Sequence, residues 1–506
     1  MRDTLQVHRS GLIAFLAAVV SIYCIAEADA VPQNIVPFRY EPLSLPFLLV
    51  KVSINNNAPE WFIVDTGYYW PVAITTEYAK RLHLPLQKRQ VLTGTNGAQV
   101  VVLPVDHLAL VAADKDKGER HIPVPVEYVV LMEGAENLFK SLSESYGIDV
   151  GGLVGLGALQ HTADSILIDF RQKVIILGAP KPTTTENRSS ATVPLVYQDW
   201  GYAAKVSIAS GREITLLVDT GSYATVLRPG IPQLPIRASS HDVEMAAKFY
   251  GRSTRQTVLL SQIALGTLKE KDVVARIDPG LPDQMRSDGL LGLSLLERFR
   301  VWVHFREQTM VLEREADYAT RLTLPGSQEA SLTWKEGHYS ISLLRDDGPL
   351  FQAGARLGDR ILTVDGKLLP PGAEIVAERI LAGFGGQPAE VVVERQGTKI
   401  ILRYKRRSIF DTPSSAHPTG RIGLLTELGG EGLVITYVEP GGIADQSGLR
   451  VGDEIIALNG QDISSLTLAQ LRNLPSLLKQ GANTFTIKRK GSKEPMQVEV
   501  KLPAIQ

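Results

Sequence analysis

Short apolar or alternating runs, separated by turn residues, make up most of the first two thirds of the chain. They include FLLVKVSI and SILIDF between Leu45 and Leu177, and YAAKVSI and RVWVHF between Val193 and Glu313. Runs of this length and period are typical of β-strands. The segment from Gly178 to Thr192 is rich in Pro, Thr and Ser and predicts a linker between two β-rich lobes.

A different pattern follows Pro325 and occurs twice. Phe351–Leu369 lines up with Asp445–Ile463: each has a small residue and Gly, then Gly-Asp, then an apolar strand closed by Asp-Gly or Asn-Gly. The closing dipeptide predicts a tight hairpin turn. Helices are predicted after the turns, at Ala373–Ala382 and Leu466–Leu478, and each precedes a further strand. The pattern predicts two tandem α/β modules of about 80 to 90 residues.

The two β-rich lobes share an order of motifs. Asp65-Thr66-Gly67 and Asp219-Thr220-Gly221 each end an apolar run. Each is followed by an apolar-apolar-Gly segment, Leu153-Val154-Gly155 in the first lobe and Leu290-Leu291-Gly292 in the second. Self-similarity of this extent indicates duplicated structural units.

Composition and charge narrow the classes of partner. The chain has 506 residues, more than one hydrophobic core accommodates, and its 53 Lys and Arg against 54 Asp and Glu leave a formal charge of -1. No basic field is present to attract a polyanion. A nucleic acid partner is therefore not expected.

The N-terminus has the pattern of a secretory signal. Arg2 and Arg9 precede an apolar run, and Ala28-Asp29-Ala30 supplies a small-residue cleavage site. The run is shorter than the roughly 20 residues that span a bilayer, so a retained anchor is the less favoured alternative. Cys24, the one cysteine, lies in this segment, and the mature chain therefore has no disulfide. A periplasmic or secreted protein is expected.

Two carboxyl groups brought together can hydrolyse a peptide bond. At a separation of about 3 Å both cannot ionise, so one keeps a proton and acts as an acid while the other takes a proton from water. Asp65 and Asp219 are the candidates for this pair. Paired Asp-Thr-Gly motifs with paired Gly segments resemble the pepsin/retropepsin superfamily of aspartic peptidases, over roughly residues 40 to 315.

The resemblance implies a mainly β, bilobal fold of two pepsin/retropepsin-like double-ψ half-barrels. In it, Thr66 and Thr220 brace the two catalytic loops against each other. Gly67 and Gly221 let the backbone approach the carboxyl groups, and Ser222 is a further support residue. Because both aspartates lie in one chain, a monomer is sufficient for catalysis of a polypeptide substrate. No cofactor and no metal are expected.

The resemblance also predicts flaps over the cleft. Gly97 and Gly251 lie equally far after the two aspartates and are the candidate flap tips. Tyr250 is either a flap tyrosine that contacts substrate or an ordinary strand aromatic. Tyr68 departs from the family pattern, which usually has Ser, Thr or Ala after Asp-Thr-Gly. The first lobe must then steer its carboxyl group with the backbone N–H or the hydroxyl of Tyr68.

The tandem modules resemble PDZ domains, especially those attached to bacterial exported proteases. The second carries nearly the whole signature in Gly432–Gly460, and the first is degenerate. PDZ domains bind a C-terminal peptide or protein partner as an added strand and hold its carboxylate in a backbone nest. Ile422, Gly423 and Leu424 are the candidate peptide-binding residues. The alternative is that the modules serve only as packing spacers.

The sequence therefore predicts an exported aspartic endopeptidase with PDZ modules for partner binding. The rival interpretation is a catalytically inactive periplasmic peptide-binding or scaffold protein. The predicted domains are a signal peptide at 1–30, two protease lobes at 31–180 and 193–317, a degenerate PDZ-like domain at 325–406 and a PDZ domain at 420–503.

Overall fold

The computed structural model describes these residues of the chain: 34–93, 99–114, 118–133, 139, 142–143, 147–182, 190–208, 211–240, 256–278, 280–314, 324–345, 348–411, 422, 424–428, 432–438, 441–466, 477–479, 481–492 and 494–502. Several predicted features lie outside this part of the chain. They are the signal peptide at 1–30, Gly97, Tyr250, Gly251, Gly423 and most of the helix predicted at Leu466–Leu478.

The described residues of the first lobe form thirteen strands and two short α-helices. The strands are β1 (Asn34–Pro37), β2 (Arg39–Glu41), β3 (Leu45–Ile54), β4 (Glu60–Asp65), β5 (Val72–Ile74), β6 (Gln90–Thr93), β7 (Gln99–Pro104), β8 (Leu108–Asp114), β9 (Gly118–Pro123), β10 (Tyr128–Leu131), β11 (Val150–Gly155), β12 (Ser165–Asp169) and β13 (Val174–Leu177). The helices are α1 (Thr76–Arg81) and α2 (Leu156–Thr162). The hydroxyl of Thr75 accepts the Tyr78 N–H at 3.0 Å and caps α1.

The described residues of the second lobe form ten strands and one α-helix. The strands are β14 (Ser190–Gln198), β15 (Gly201–Ile208), β16 (Glu213–Val218), β17 (Thr225–Leu227), β18 (Ile236–Ser240), β19 (Gln256–Leu265), β20 (Leu268–Ile277), β21 (Gly289–Leu291), β22 (Phe299–His304) and β23 (Thr309–Arg314). The helix is α3 (Leu293–Leu296). Strand β14 begins inside the segment predicted as a linker.

The tandem modules contribute the remaining described elements. The first has β24 (Ala330–Lys335), β25 (His338–Leu344), α4 (Pro349–Gln352), β26 (Arg360–Val364), α5 (Glu374–Ala382), β27 (Pro388–Arg395) and β28 (Thr398–Lys405). The second has β29 (Leu424–Leu428), β30 (Leu433–Val438), α6 (Ile443–Gln446), β31 (Glu454–Leu458), β32 (Gln461–Asp462), β33 (Gly481–Lys488) and β34 (Met496–Leu502).

Four sheets organise these strands, and the prediction of a mainly β chain is confirmed. A ten-stranded sheet has the order β6-β7-β10-β5-β11-β4-β3-β8-β9, with β2 paired to β3. A thirteen-stranded sheet has the order β1-β13-β12-β22-β23-β14-β15-β16-β21-β17-β20-β19-β18. The modules form sheets β24-β25-β26-β27-β28 and β29-β30-β31-β33-β34, with β32 paired to β31.

The two lobes share strands and a core. Strand β12 pairs antiparallel with β22, Leu167 opposite Trp302, so the last strands of the first lobe belong to the sheet of the second. One buried apolar cluster contains residues of both lobes, such as Val64 and Val218. Burial of this shared apolar surface holds the two lobes together.

Each module has its own hydrophobic core and the predicted hairpin turn. The predicted helix at Ala373–Ala382 is confirmed as α5. Asp365 and Gly366 both have positive φ, at 50° and 74°, and Asn459 and Gly460 have φ of 52° and 82°. Both central residues at positive φ define the turn that fits the twist of a β-hairpin, which explains the Asp-Gly and Asn-Gly dipeptides.

Candidate active site and PDZ groove

Two equivalent strand arrangements bring the Asp-Thr-Gly loops together. Strand β4 ends at Asp65 and pairs in parallel with β11, with Asp65 opposite Gly155. Strand β16 ends just before Asp219 and pairs in parallel with β21, and the Asp219 N–H donates to Leu291 O at 3.1 Å. In each lobe a short strand, β5 or β17, then pairs antiparallel with the glycine-bearing strand. The two loops are therefore held by the same arrangement of strands.

The two threonines join the loops through reciprocal hydrogen bonds. Thr66 N–H donates to Thr220 Oγ1, and Thr220 N–H donates to Thr66 Oγ1, both at 3.1 Å. The Thr66 hydroxyl donates to Val218 O at 2.8 Å, and the Thr220 hydroxyl donates to Val64 O at 2.7 Å. Thr220 is fully buried and Thr66 is 7% exposed. Each hydroxyl thus satisfies two buried backbone groups of the opposite strand and loop.

Each carboxyl group is held by its own loop and faces the glycine of the other loop. Gly67 N–H donates to Asp65 Oδ1 at 2.9 Å, and Gly221 N–H donates to Asp219 Oδ1 at 2.8 Å. A Cβ added to Gly67 would lie 2.8 Å from Asp219 Cγ, and one added to Gly221 would lie 2.4 Å from Asp65 Cγ. A side chain at either glycine would therefore displace the opposite carboxyl group.

The carboxyl groups form one titrating pair. Burial raises the pKa of Asp65 well above its ordinary value, and the charge of Asp219 and a hydrogen bond to it raise it further. Burial also raises the pKa of Asp219, while hydrogen bonds from Gly221 N–H, Asp65 and Ser222 N–H partly offset this rise. Two carboxyl groups placed this close together titrate as a pair, and ionisation of both at once is disfavoured.

The glycine-bearing segments lie directly behind the two loops. Leu156 N–H donates to Tyr68 O at 2.7 Å, and Leu293 N–H donates to Ser222 O at 2.9 Å. A Cβ on Gly155 would lie 2.0 Å from Trp70 O, and one on Gly292 would lie 2.1 Å from Ala224 O. Only glycine permits this contact between backbone segments, which explains the paired apolar-apolar-Gly motif.

Tyr68 and Ser222 occupy equivalent places, and both act on the carboxyl groups through the backbone. The Ser222 N–H donates to Asp219 Oδ1 at 3.2 Å, but the Ser222 hydroxyl donates to Ala224 O at 2.9 Å. The Tyr68 N–H lowers the pKa of Asp65 by a hydrogen bond. Burial, followed by the Asp65 charge, raises the pKa of the Tyr68 hydroxyl. The first lobe has no serine hydroxyl after its Asp-Thr-Gly motif. Asp65 loses no hydrogen bond by this, because the Ser222 hydroxyl makes none to Asp219.

Gly221→Ala is expected to reduce hydrolysis strongly, and Ser222→Ala is expected to leave it nearly unchanged. The Cβ that this substitution adds at position 221 would push Asp65 out of place. A misplacement of about 1 Å can reduce the rate about 100-fold. Ser222→Ala removes only the bond to Ala224 O. Steady-state cleavage of a fluorogenic peptide by both variants measures the difference. Equal losses in the two variants would contradict the assignment.

The flap candidates fall where the described residues end. Strands β6 and β7 pair antiparallel and flank residues 94–98, which contain Gly97. Strands β18 and β19 likewise flank residues 241–255, which contain Tyr250 and Gly251. All three residues lie outside the described residues, and their flap role stays a prediction.

The two modules repeat one ion pair between a buried aspartate and a partly exposed arginine. The Arg395 guanidinium donates to both oxygens of Asp359 at 2.6 and 2.7 Å, and Arg489 donates to both oxygens of Asp453 at 2.7 Å. The two aspartates are 1% exposed. The repeated geometry accounts for the aspartate of the Gly-Asp pattern in both modules, because the bidentate pair anchors the turn before each central strand.

The predicted peptide-binding residues lie at the start of the edge strand β29 of the second module. Ile422 and Leu424 are 1% and 7% exposed and belong to the hydrophobic core of this module. Their side chains therefore face the core, and a ligand would meet the backbone of this segment. Gly423 lies outside the described residues. Sequence reasoning missed Thr426, which lies opposite Ile435 in the middle of β29 and carries an edge amide.

Comparison with known proteins identifies the second module. The PDZ domain family matches residues 414–475. Tax1-binding protein 3 of Homo sapiens is 32% identical over 94 residues, which cover 17% of this chain and 72% of that protein, and the Mus musculus protein matches equally. The chain belongs to the PDZ-domain family, and the second module is its PDZ domain.

Three solved structures are also similar to parts of the chain. The photosystem II D1 C-terminal processing protease is 26% identical with a TM-score of 0.16, and the match covers 17% of this chain and 24% of that chain. Conglutin gamma from lupine seeds is 12% identical with a TM-score of 0.34, over 57% of this chain and 96% of that chain. Basic 7S globulin from soybean is 11% identical with a TM-score of 0.33, over 57% of this chain and 96% of that chain. The chain spans about a quarter of the processing protease.

Two features are absent from the residues that the structure describes. No helix in them is long and apolar enough to cross a membrane. No group of three or more His, Cys, Asp or Glu side chains in them could hold a metal ion.

Proposed function

We propose that the chain is an aspartic endopeptidase that hydrolyses peptide bonds of a polypeptide substrate between Asp65 and Asp219. The observation that carries this proposal is the meeting of the two Asp-Thr-Gly loops, in which each carboxyl group lies against the glycine of the other loop. The reciprocal threonine bonds support it, because they hold the two loops in a fixed relation. A pepsin/retropepsin-like arrangement of two half-barrels is part of the same proposal and is supported by the parallel pairings β4–β11 and β16–β21.

The proposed reaction uses one water molecule and one shared proton. Asp219, stabilised as a carboxylate by two backbone N–H groups, takes a proton from the water that attacks the scissile carbonyl carbon. In this assignment Asp65 is the protonated partner, and it donates its proton to the carbonyl oxygen. The tetrahedral intermediate then expels the amine, which receives the proton from Asp219. A hydroxyl proton of the intermediate passes to Asp65 and restores the starting state. Both aspartates belong to one chain, so a monomer is sufficient in this mechanism.

A bell-shaped dependence of kcat/KM on pH is expected. At low pH both carboxyl groups are protonated and no base remains, and at high pH both are ionised and no acid remains. Because burial raises the pKa of both groups, the alkaline limb should lie above the value of about 3.9 for an ordinary Asp. Cleavage of casein between about pH 3 and 8 tests this expectation. A rate that rises steadily into alkaline pH would exclude the shared-proton pair.

The second module is proposed to bind an extended C-terminal peptide or protein partner at the edge of β29. The PDZ match and the edge position of β29 in its sheet support this role. A strand added at this edge needs outward backbone N–H groups on alternate residues. The PDZ domain would hold a partner, or present a chain end, while the candidate active site cleaves.

Thr426→Pro is expected to abolish peptide binding, because proline removes the backbone N–H in the middle of β29. Thr426→Val keeps that N–H and should bind within about threefold of the native chain. The probe is a set of peptides selected by the full chain from a phage-displayed library of random C-terminal heptapeptides. Unchanged affinity for Thr426→Pro, measured by fluorescence anisotropy, would contradict docking at β29.

The rival candidate is a periplasmic peptide-binding or scaffold protein without catalytic activity. The PDZ match favours a partner-binding role, and that role is common to both candidates. They differ in hydrolysis alone. Export as a periplasmic or secreted protein is proposed for both, on the signal pattern of residues 1–30. A mature protein that retains Met1 would contradict export by a cleaved signal.

A further inference from the structure

The two modules can be compared position by position. They align without a gap from Glu329 with Gly423 to Arg395 with Arg489, and the buried Asp–Arg pairs coincide. In the first module Leu332 lies opposite Ile341, and in the second Thr426 lies opposite Ile435. Strand β24 is therefore the counterpart of β29, and both are edge strands of their sheets.

The edge of β24 is already occupied. Leu332 N–H donates to Glu378 Oε1 at 2.8 Å, and Trp334 N–H donates to Glu374 Oε1 at 3.0 Å. Both glutamates belong to α5. The second oxygen of Glu378 accepts the Gln328 side-chain amide at 3.0 Å. Two carboxylates of the module's own helix thus bind the two alternate N–H groups that an added peptide strand would use.

The spacing of these contacts follows from the geometry of helix and strand. Residues i and i+4 of an α-helix lie on one face, separated by about 6 Å along the axis. Residues i and i+2 of a strand point to the same side, separated by about 6.8 Å. Glu374 and Glu378 therefore match Trp334 and Leu332 in register. Bonds to carboxylates are also stronger than the neutral bonds that a peptide carbonyl would offer.

A buried carboxylate also occupies the aligned position of a residue that is predicted to hold the ligand carboxylate in the second module. Glu329 is 3% exposed and takes the position of Gly423, a predicted residue of the carboxylate nest. Its Oε1 lies 3.3 Å from the Arg407 guanidinium, which neutralises it. The terminal carboxylate of a peptide at this position would be repelled by the Glu329 carboxylate, whose charge Arg407 already balances.

The second module has none of these three glutamates at the matching positions. Leu468 and Arg472 correspond to Glu374 and Glu378 in the aligned sequences, and Gly423 corresponds to Glu329. Neither leucine nor arginine can accept a hydrogen bond from a backbone N–H. The sequence of the second module therefore lacks the carboxylate acceptors that close the edge of β24.

We infer that the first PDZ-like module is closed to peptide ligands by its own helix α5, through Glu374 and Glu378, and that a peptide partner docks at the second module alone. The closure is an autoinhibitory contact built into the fold. Only the statement about the second module rests on the proposed peptide-binding function. The closure of β24 stands on the contacts of the first module.

Hydrogen exchange of the full chain tests the closure without any ligand. In the Glu374→Ala/Glu378→Ala variant the amides of Leu332 and Trp334 should exchange at least about tenfold faster than in the native chain. Glu374→Gln/Glu378→Gln keeps an oxygen acceptor at both positions and should stay within about threefold. Circular dichroism and amide protection of β27 report whether each variant is folded. Native exchange rates in the folded alanine variant would overturn the inference.

Peptide binding then tests the consequence for docking, with the selected C-terminal heptapeptides as the probe. In the Thr426→Pro background the native first module should bind none of them. Persistent binding that is lost on a further Leu332→Pro change would place a ligand on β24 and overturn the inference. Absence of binding by the native full chain would instead contradict the peptide-binding function proposed for the second module. The exchange experiment would still test the closure of β24.

Discussion

Asp65→Asn and Asp219→Asn are each expected to abolish peptide hydrolysis while leaving the chain folded. Asn retains the oxygen that accepts the Gly67 or Gly221 N–H, so the loops keep their geometry. It cannot hold or exchange the shared proton. General acid–base catalysis contributes up to about 10⁴-fold to a rate, and losses on this order are expected in both variants. Because the pair acts as a unit, the double variant should be no worse than either single one.

Purified native and variant chains would be compared on casein at the pH of maximal native activity. Asp278→Asn is a matched control in the same lobe, since Asp278 is also buried but accepts the Gly280 N–H, away from the pair. It should retain most of the activity. Loss in one aspartate variant only would contradict a shared-proton pair. No cleavage by the native chain, with the fold intact, would favour the scaffold protein.

Thr220→Val is expected to destabilise the lobes strongly. Valine fills the same volume but leaves the Thr66 N–H and the Val64 carbonyl without their bonds in a buried site. An unpaired buried group costs about 1 to 3 kcal/mol, so the loss is about 2 to 6 kcal/mol for the two. Thermal unfolding should begin roughly 5 to 15 °C lower.

Thr220→Ser keeps the hydroxyl and is the control for this change. It removes one buried methyl group, and its loss should be about 1 kcal/mol. Differential scanning calorimetry of the full chain resolves the transition of the lobes from those of the modules, since each has its own core. Identical transitions for the valine and serine variants would mean that the hydroxyl contacts do not hold the loops together.

Much of the candidate site follows from local sequence. The duplicated Asp-Thr-Gly and Gly motifs predict which carboxyl groups meet, because the same motif in the same strand frame must produce the same loop twice. The hairpins at Asp365-Gly366 and Asn459-Gly460 are likewise fixed by turn chemistry, and both are confirmed. In each case the residues that decide the structure are neighbours in the chain.

Contacts between distant segments were not accessible in this way. Nothing in the runs around Leu167 and Trp302 indicates that they pair in one sheet, since many apolar strands could align. The Ser222 hydroxyl could bond to Asp219 or to Ala224 O, and only the loop geometry selects the second. Helix α5 was predicted, but which of its faces meets β24 depends on packing, so the role of Glu374 remained hidden.

The most direct test of the single-chain pair is calorimetric titration with a statine-containing peptide, whose secondary hydroxyl stands in for the attacking water. The proposed mechanism predicts one inhibitor bound per monomeric chain in the active pH range, and none bound to Asp65→Asn or Asp219→Asn. One inhibitor per two chains would indicate a pair formed between subunits. Binding that persists in both variants, or none by the folded native chain at any pH between about 3 and 8, would contradict the assignment of Asp65 and Asp219 as the catalytic pair.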